Sequence, residues 1–450
     1  MKRINKFILI IVLVFVFCFG YLPFLWHPHS ASNIKMPDFD IKNANECVAL
    51  LEDPHEAGKL RLELIRNAEE SIHISYHTFS EGVYSSLFVY ELLNAADRGV
   101  EIRFINDGLV GGLATRARKT AKTLANEENI TIGLYEPINF NPYTWHNRLH
   151  DKYLLVDGKY LITGGRNIND KTFMPDGFNF RIVFDRDIFI VGEEDKGVIK
   201  ELSDYIDLLW SEPYVKTLKG KDLPEHREKL ISLGRENTIN HPELSGEPAM
   251  PMFFSPDSIH MISNPMGRGS KEPVIWDTLL ELMKQSHGDI ILQSPYTILY
   301  PEQIKDLEEL NRDITLITNS LKGTPNIPAY PHYLRQRHKI KRLGTIYEYA
   351  GNGSVHTKSF VIGDDISVIA SFNLDPRSLN LDTETAYIIK SKEFNEYLRD
   401  IYSDWQQESI CRFDGNTIYP DGYKHNAFII MKEIVFRLLS IVFWPLMPVV

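Results

Sequence analysis

Two stretches of this chain repeat one polar pattern at one spacing, and that repeat restricts the fold more than any single segment does. His150, Lys152, Gly165 and Asn167 lie in HDKYLLVDGKYLITGGRN, and His356, Lys358, Ser371 and Asn373 lie in HTKSFVIGDDISVIASFN at a constant offset. Four polar positions do not duplicate in register by chance. The repeat predicts two similar lobes, each carrying half of one active site at a pseudo-two-fold interface.

On an extended strand residues i and i+2 share a face, so His150 and Lys152 project side by side, and Leu154 and Val156 continue that face toward the core. Asp157-Gly158 signals a hairpin, with Lys159 to Thr163 as the return strand. Gly164-Gly165 lets the backbone approach a ligand closely, and Asn167 adds an amide. An imidazole near neutral pH serves as nucleophile or as acid and base, while a fixed cation and an amide hold the charge of a phosphoryl group. Alone, this motif reads equally well as a buried histidine and a surface lysine on an ordinary hairpin. The second copy favours a site.

The two motifs resemble the H-x-K-x4-D-x6-G-S-x-N signature of the phospholipase D superfamily. NLDPRSLNLDTE from Asn373 to Glu384, TNSL at Thr318 to Leu321, the basic segment near Arg335 and the apolar tail are similar to its bacterial cardiolipin synthase branch. The resemblance implies an α/β chain of two phospholipase D-like lobes with mixed sheets flanked by helices. It implies catalytic roles for His150, Lys152, Asp157, Asn167, His356, Lys358 and Asn373, with Asp185 and Glu384 orienting the histidines, and contacts to substrate from Gly165 and Ser371. Two departures stand in the second motif, where Gly363 replaces aspartate and Ala370 replaces glycine.

The 450 residues suffice for two lobes with their own cores, and the formal charge of −11 argues against general nucleic-acid binding, so an anionic substrate needs a local positive site. Cys18, Cys47 and Cys411 fit no metal spacing; two unpaired thiols is the reading for Cys47 and Cys411, with a bridge open if the body is extracytoplasmic. Lys2, Arg3 and Lys6 precede an apolar run from Phe7 to Trp26 without a good cleavage site, which predicts an uncleaved transmembrane anchor over 1–30 with the body outside the cytoplasm.

Beyond a polar tether, residues 45–215 read as the first lobe. Glu46 to Ala68 carries helix-period leucines; Ser71 to Phe79, Val100 to Asn106, Asn129 to Tyr135 and Asn179 to Val191 read as strands, and Tyr84 to Arg98 as a helix. His73, His77 and His146 lack any metal-binding context, although His77 can line the site. Residues 216–256, polar and without a sustained period, read as a linker. Residues 257–420 repeat the first lobe: Asp289 to Tyr296, Asp313 to Asn319 and Thr345 to Tyr349 match its strands. Arg335, Arg337, Lys339, Lys341 and Arg342 form the densest basic cluster, a solvated helix face or an attractor of lipid phosphates, with Arg335 and Lys339 as substrate-binding candidates. Residues 430–450 read as an interfacial or re-entrant segment at the membrane.

The expected activity is transfer of a phosphatidyl group through a phosphohistidine to phosphatidylglycerol or another lipid alcohol, with no metal, no cofactor and no nucleic acid. The alternatives are a phospholipase D hydrolase, a membrane-tethered phosphodiesterase or nuclease, and a lipid-binding pseudoenzyme with an impaired second half.

Overall fold

The computed structural model describes residues 2–39, 45–174, 182–324, 328–413, 415–424 and 426–449, with side chains from Leu9 onward. The first sheet has nine strands. At its centre Ser71–Tyr76, Glu101–Asp107 and Ile130–Tyr135 run parallel, and the motif hairpin Tyr153–Val156 and Tyr160–Gly164 adds antiparallel to Ser71–Tyr76. Asp187–Val191, Cys47–Leu51 and Phe253–Phe254 extend that edge, and Val215–Thr217 closes the other. The parallel strands are apolar on both faces because helices cover both. Leu154 and Val156 pack with Ile72 and Ile74 against the helices Pro54–Asn67 and Val83–Asp97.

The second nine-stranded sheet repeats this order over eight strands, its ninth, Asn416–Ile418, lying at the opposite edge. Ile290–Gln293, Ile314–Asn319 and Gly344–Tyr349 are parallel, and the hairpin Ser359–Ile362 and Ile366–Ala370 adds antiparallel to Ile290–Gln293. The remaining faces of both sheets share one core. Tyr153, Leu155 and Leu161 of the first lobe pack with Val361, Ile369 and Tyr387 of the second, together with Tyr205 and Leu209 from the helix Gly197–Ser211 and Leu398 and Tyr402 from the helix Lys392–Gln407. Two α/β layers with mixed sheets are therefore joined back to back through a buried apolar seam.

Several expectations change. Glu46 to Ala68 is not one helix: Cys47–Leu51 pairs with Asp187–Val191, and the helix starts at Pro54 with Asp53 capping Glu56 N–H. The tract 216–256 holds a helix, Pro224–Asn240, whose Leu230 and Ile231 are buried on the first core; its weak amphipathicity conceals it from period counting. Residues 175–181 lie outside the described residues, and the rest of the strand expected from Asn179 divides into Val183–Phe184 and Asp187–Val191. Cys47 and Cys411 are both free.

The apolar N-terminal run is not continuous helix. A helix spans Lys2–Gly20, and Pro23 lies in a separate 3-10 turn, Leu22–Leu25. Its apolar part from Phe7 to Gly20 rises about 21 Å, less than a bilayer core of about 30 Å. Among the described residues no helix is long and apolar enough to cross a membrane. The side chains of Lys2, Arg3 and Lys6, on which the orientation rested, lie outside the described residues. At the other end a helix, Ala427–Phe443, runs into a 3-10 segment, Trp444–Val449.

Candidate active site

The two motif hairpins occupy equivalent places in the two sheets, and their tips are held differently. Asp157 takes a left-handed φ of 50°, and its carboxylate accepts from the backbone N–H groups of Glu69, Glu70 and Ser71, the closest at 2.8 Å. It clamps the hairpin to the start of Ser71–Tyr76, away from the chemistry. Gly363 takes φ 66°, and a Cβ there would lie 2.5 Å from His287 O, so the second lobe has no space for an aspartate. Arg399 supplies the clamp instead, donating to Gly363 O at 2.6 Å and pairing with Asp289 at 3.1 Å. Gly363→Asp is expected to destabilise the fold by about 2–4 kcal/mol, by adding a strained side chain against a backbone carbonyl. Thermal unfolding measures this; an unchanged Tm would contradict the packing at His287.

The halves exchange their orienting groups. Glu384 Oε1 of the second lobe lies 2.8 Å from His150 Nδ1, and Asp185 Oδ2 of the first lies 2.7 Å from His356 Nδ1. The backbone is exchanged as well. His150 N–H donates to Thr383 Oγ1 at 3.1 Å and Thr383 N–H to Arg148 O at 2.9 Å, while His356 N–H donates to Phe184 O at 2.7 Å beside the paired strands Val183–Phe184 and Ser354–Val355. Asp185 and Glu384 are equivalent by register: Gly164 faces Asp187 and Ala370 faces Ala386, and each carboxylate precedes its strand partner by two positions. Gly165 and Ser371 support these carboxylates and do not line the cavity described below. A Cβ on Gly165 would meet Asp185 Oδ1 at 1.9 Å, whereas Ser371 Oγ donates to Glu384 and Ser378 Oγ donates to its Oε1 at 2.5 Å. Both Nδ1 atoms are committed to carboxylates, which leaves the Nε2 atoms for chemistry, that of His356 beside Lys358 Nζ at 3.2 Å.

Lys152 Nζ and Lys358 Nζ each donate to the carbonyl oxygen of the histidine two residues earlier. Lys358 Nζ also lies 2.8 Å from Nδ1 and 3.2 Å from Nε2 of His356. Asn167 Oδ1 accepts from Thr78 N–H at 2.9 Å, which turns its NH2 outward as a donor. Asn373 Oδ1 is buried without a partner among the described residues. A cavity of about 330 Å³ opens beside these groups, lined by His150, Asn373, His77, Trp145, Tyr296 and Arg377 among others. It sits beyond the carboxyl ends of the parallel strands of both sheets, where α/β folds place ligands.

Burial, then Lys152, depresses the His150 pKa; burial, then Lys358, depresses that of His356. Both shifts favour the neutral ring, opposed at His356 by the Asp185 carboxylate. Burial would raise Asp185, but Lys358 and His356 outweigh it and bring the carboxyl down to about 2. Glu384 is pushed well up by burial, against Lys152 and the two serine hydroxyls. Burial lowers Lys152, and lowers Lys358 to about 7. The two half-sites are geometrically alike and electrostatically unequal.

His77 lines the cavity as the sequence allows, and further participants lie outside the motifs. His77 Nδ1 meets Leu149 O at 2.6 Å, its ring lies 4.9 Å from that of His150, and burial holds its pKa near 4. Arg377 pairs with Asp382 at 2.8 Å and donates to His146 O, while Asp382 accepts from Arg148 N–H at 3.1 Å, which locks the second half onto the entry to the first motif. Asn106 donates to Tyr76 O at 2.6 Å, and Asn319 donates to Val355 O at 2.7 Å, each tying a strand end to the site. The paired asparagines end corresponding strands of the repeat, a signal visible in the sequence. Arg335 and Lys339 lie on the helix Ala329–Ile340 and neither lines this cavity. Among the described residues no group of three His, Cys, Asp or Glu side chains could hold a metal ion.

The family described as "Cardiolipin synthase, PLD-like domain" matches residues 62–210 and 279–405, one match in each lobe. The chain is 27% identical over 474 residues to an uncharacterised protein of Helicobacter pylori, covering 90% of each. It is 25% identical to cardiolipin synthase C of Escherichia coli, covering 85% of this chain and 90% of that protein. Among solved structures, phosphatidylserine synthase of Haemophilus influenzae shares the fold, with a TM-score of 0.62 at 15% identity over 90% of this chain and 95% of that one. With two matched domains and two motif hairpins meeting at one site, the chain belongs to the phospholipase D superfamily, in its cardiolipin synthase branch.

Proposed function

We propose that the chain is a membrane-anchored phosphatidyltransferase of cardiolipin synthase type, working from one site shared by its two halves. The observation that carries this reading is the crossed pairing of His150 with Glu384 and His356 with Asp185, which holds each ring by its Nδ1 and leaves its Nε2 for chemistry, His150 lining the cavity. His150, which lines the cavity, is assigned as nucleophile. Its Nε2 attacks the phosphorus of a phosphatidyl donor, the P–O bond to the head-group alcohol breaks, and His356, which enters the step as an imidazolium held by the Asp185 carboxylate, gives that oxygen its Nε2 proton. His356 then takes the proton of an incoming alcohol, whose oxygen attacks the phosphohistidine and releases His150. Lys152, Lys358, Asn167 and Asn373 hold the equatorial oxygens. The polypeptide divides into the anchor, two lobes, a connecting tract and a C-terminal membrane segment as the sequence indicates.

The apolar ends support the membrane reading. Leu9 to Phe19 and the helix Ala427–Phe443 expose long apolar side chains, Phe428 at 74% and Val442 at 68%. They meet beside the cavity, where Tyr21 OH donates to Pro445 O, Phe24 packs 4.8 Å from the His146 ring, and Arg377 donates to Val449 O at 3.2 Å. Ile138 and Phe140 are also exposed, on either side of Asn139, whose carbonyl accepts from Trp145 Nε1. Single apolar residues in water need no explanation, but contiguous patches of this size mark partners or membranes. Lys2, Arg3 and Lys6 ahead of the apolar run support, by the positive-inside rule, a cytoplasmic N-terminus with the body against the outer membrane face.

The test is a head-group-resolved lipid assay on the full chain in phosphatidylglycerol vesicles. Cardiolipin and free glycerol are the expected products; phosphatidic acid alone would mean hydrolysis, and no product would favour a pseudoenzyme. Lys358 adds a pH signature. Its ammonium is needed as a cation, and with its pKa brought down to about 7 it loses the proton as pH rises through neutrality. Activity is expected to fall on the alkaline side of about pH 7, and Lys358→Arg, which keeps its charge, to remove that limb at a lower kcat. A limb that survives in the arginine variant would exclude Lys358 as its origin.

A further inference from the structure

Between the basic helix Ala329–Ile340, the C-terminal helix Ala427–Phe443 and the strand Ser409–Phe413 lies a second cavity, of about 430 Å³. Arg335, Arg337, His338, Lys341, Arg412 and Arg437 line it, and no carboxylate does. Behind them Glu348 pairs with Arg337 and Arg412, and Glu433 with Arg337 and Arg437. Arg335 and Lys341 have no carboxylate partner among the described residues; Arg335 instead stacks 4.6 Å over the Trp444 ring. Five fixed cations thus face two carboxylates in an acidic protein, a concentration of charge that an exposed helix face does not need. The apolar face of the C-terminal helix, with Leu438 and Ile441 exposed, flanks the opening.

We propose that this cavity binds a phosphate group as a site separate from the reacting centre, the anion being the head-group phosphate of an anionic lipid at the surface that the C-terminal helix contacts. Planar guanidinium groups from two helices and a strand suit the oxygens of a phosphodiester, and Lys341 adds a point charge. The basic cluster accordingly acts on a second phosphate and not at the histidines, from which Arg335 is separated along its helix. The choice of lipid as the source of that phosphate rests on the membrane reading above.

The experiment compares Arg335→Gln/Lys341→Gln with Lys339→Gln/Arg342→Gln, which removes equal charge outside the cavity. Full-length protein is titrated with phosphatidylcholine vesicles with and without phosphatidylglycerol, and with inorganic phosphate in neutral detergent. The cavity variant is expected to bind phosphatidylglycerol vesicles about 30-fold more weakly than wild type, with the control variant far less affected and binding to neutral vesicles unchanged. Arg335→Lys/Lys341→Arg, preserving charge, should bind within a few-fold of wild type, which separates charge from packing on Trp444. Inorganic phosphate bound by wild type and lost in the cavity variant, with vesicle binding unaffected, would keep the site and assign it a free phosphate. Equal losses in the two glutamine variants, or none, would overturn it. Binding is read without turnover, so failure to form cardiolipin would count against the transfer reading alone.

Discussion

His150→Ala and His356→Ala are each expected to lower phosphatidyl transfer by about 10⁴-fold, because each removes an entire chemical role. In one variant no nitrogen attacks phosphorus; in the other nothing protonates the departing alcohol or deprotonates the acceptor. Both should remain folded, since neither ring belongs to the apolar cores and the hairpins are clamped at their tips by Asp157 and Arg399. The losses will not add in the double variant, as expected for groups that act as a unit. Product formation from phosphatidylglycerol reads the effect, and substantial activity in His356→Ala would mean that one half works alone.

Asp185→Asn and Glu384→Gln come next, at about 10²–10⁴-fold, through loss of the group that fixes each ring. The crossing makes their effects specific. Asp185→Asn removes the partner of His356 although it lies in the first lobe, and Glu384→Gln removes that of His150 although it lies in the second. Asp185, with its carboxyl held near 2, is ionised throughout the neutral range, so its amide replacement removes a full charge beside Lys358. Histidine-resolved NMR titration should therefore show Asp185→Asn shifting His356 chiefly, and Glu384→Gln shifting His150. A shift at the histidine of the same lobe would contradict the exchange.

The repeat was legible because a conserved spacing within one chain needs no structure to be seen: strand positions through Ser71–Tyr76, Glu101–Asp107 and Ile314–Asn319 follow from local period and β-branched content. What escaped was set by tertiary contact. Which carboxylate serves which histidine depends on how the lobes meet, and nothing local to Asp185 or Glu384 says that each reaches across the seam. Cys47–Leu51 hides in the sequence because its leucines continue the helical spacing of Pro54–Asn67. Pro224–Asn240 lacks a clear apolar stripe and is held by Leu230 and Ile231 against the first core. Arg335 and Lys339 stand out as charge, but only the packing of Ala329–Ile340 on Ala427–Phe443 shows that Arg335 faces a different cavity and that Lys339 lines neither.

The departure at Gly363 illustrates the same limit. A missing aspartate in a catalytic signature suggests a damaged half-site, yet Asp157 serves a turn, and Arg399 serves the corresponding turn by another route. Gly363 is required by its positive φ and by the carbonyl of His287. The chemical groups of the second half, His356, Lys358 and Asn373, are all present around the shared site.

The most direct measurement is the stoichiometry of the covalent intermediate. Full-length protein is mixed with phosphatidylglycerol carrying labelled phosphorus, quenched in alkali to preserve phosphohistidine, and mapped by peptide. One shared site predicts at most one label per chain, on the peptide containing His150, lost in His150→Ala and formed far more slowly in His356→Ala, where nothing protonates the departing glycerol. Two labels per chain, on His150 and His356 together, would mean two independent sites and would contradict the account.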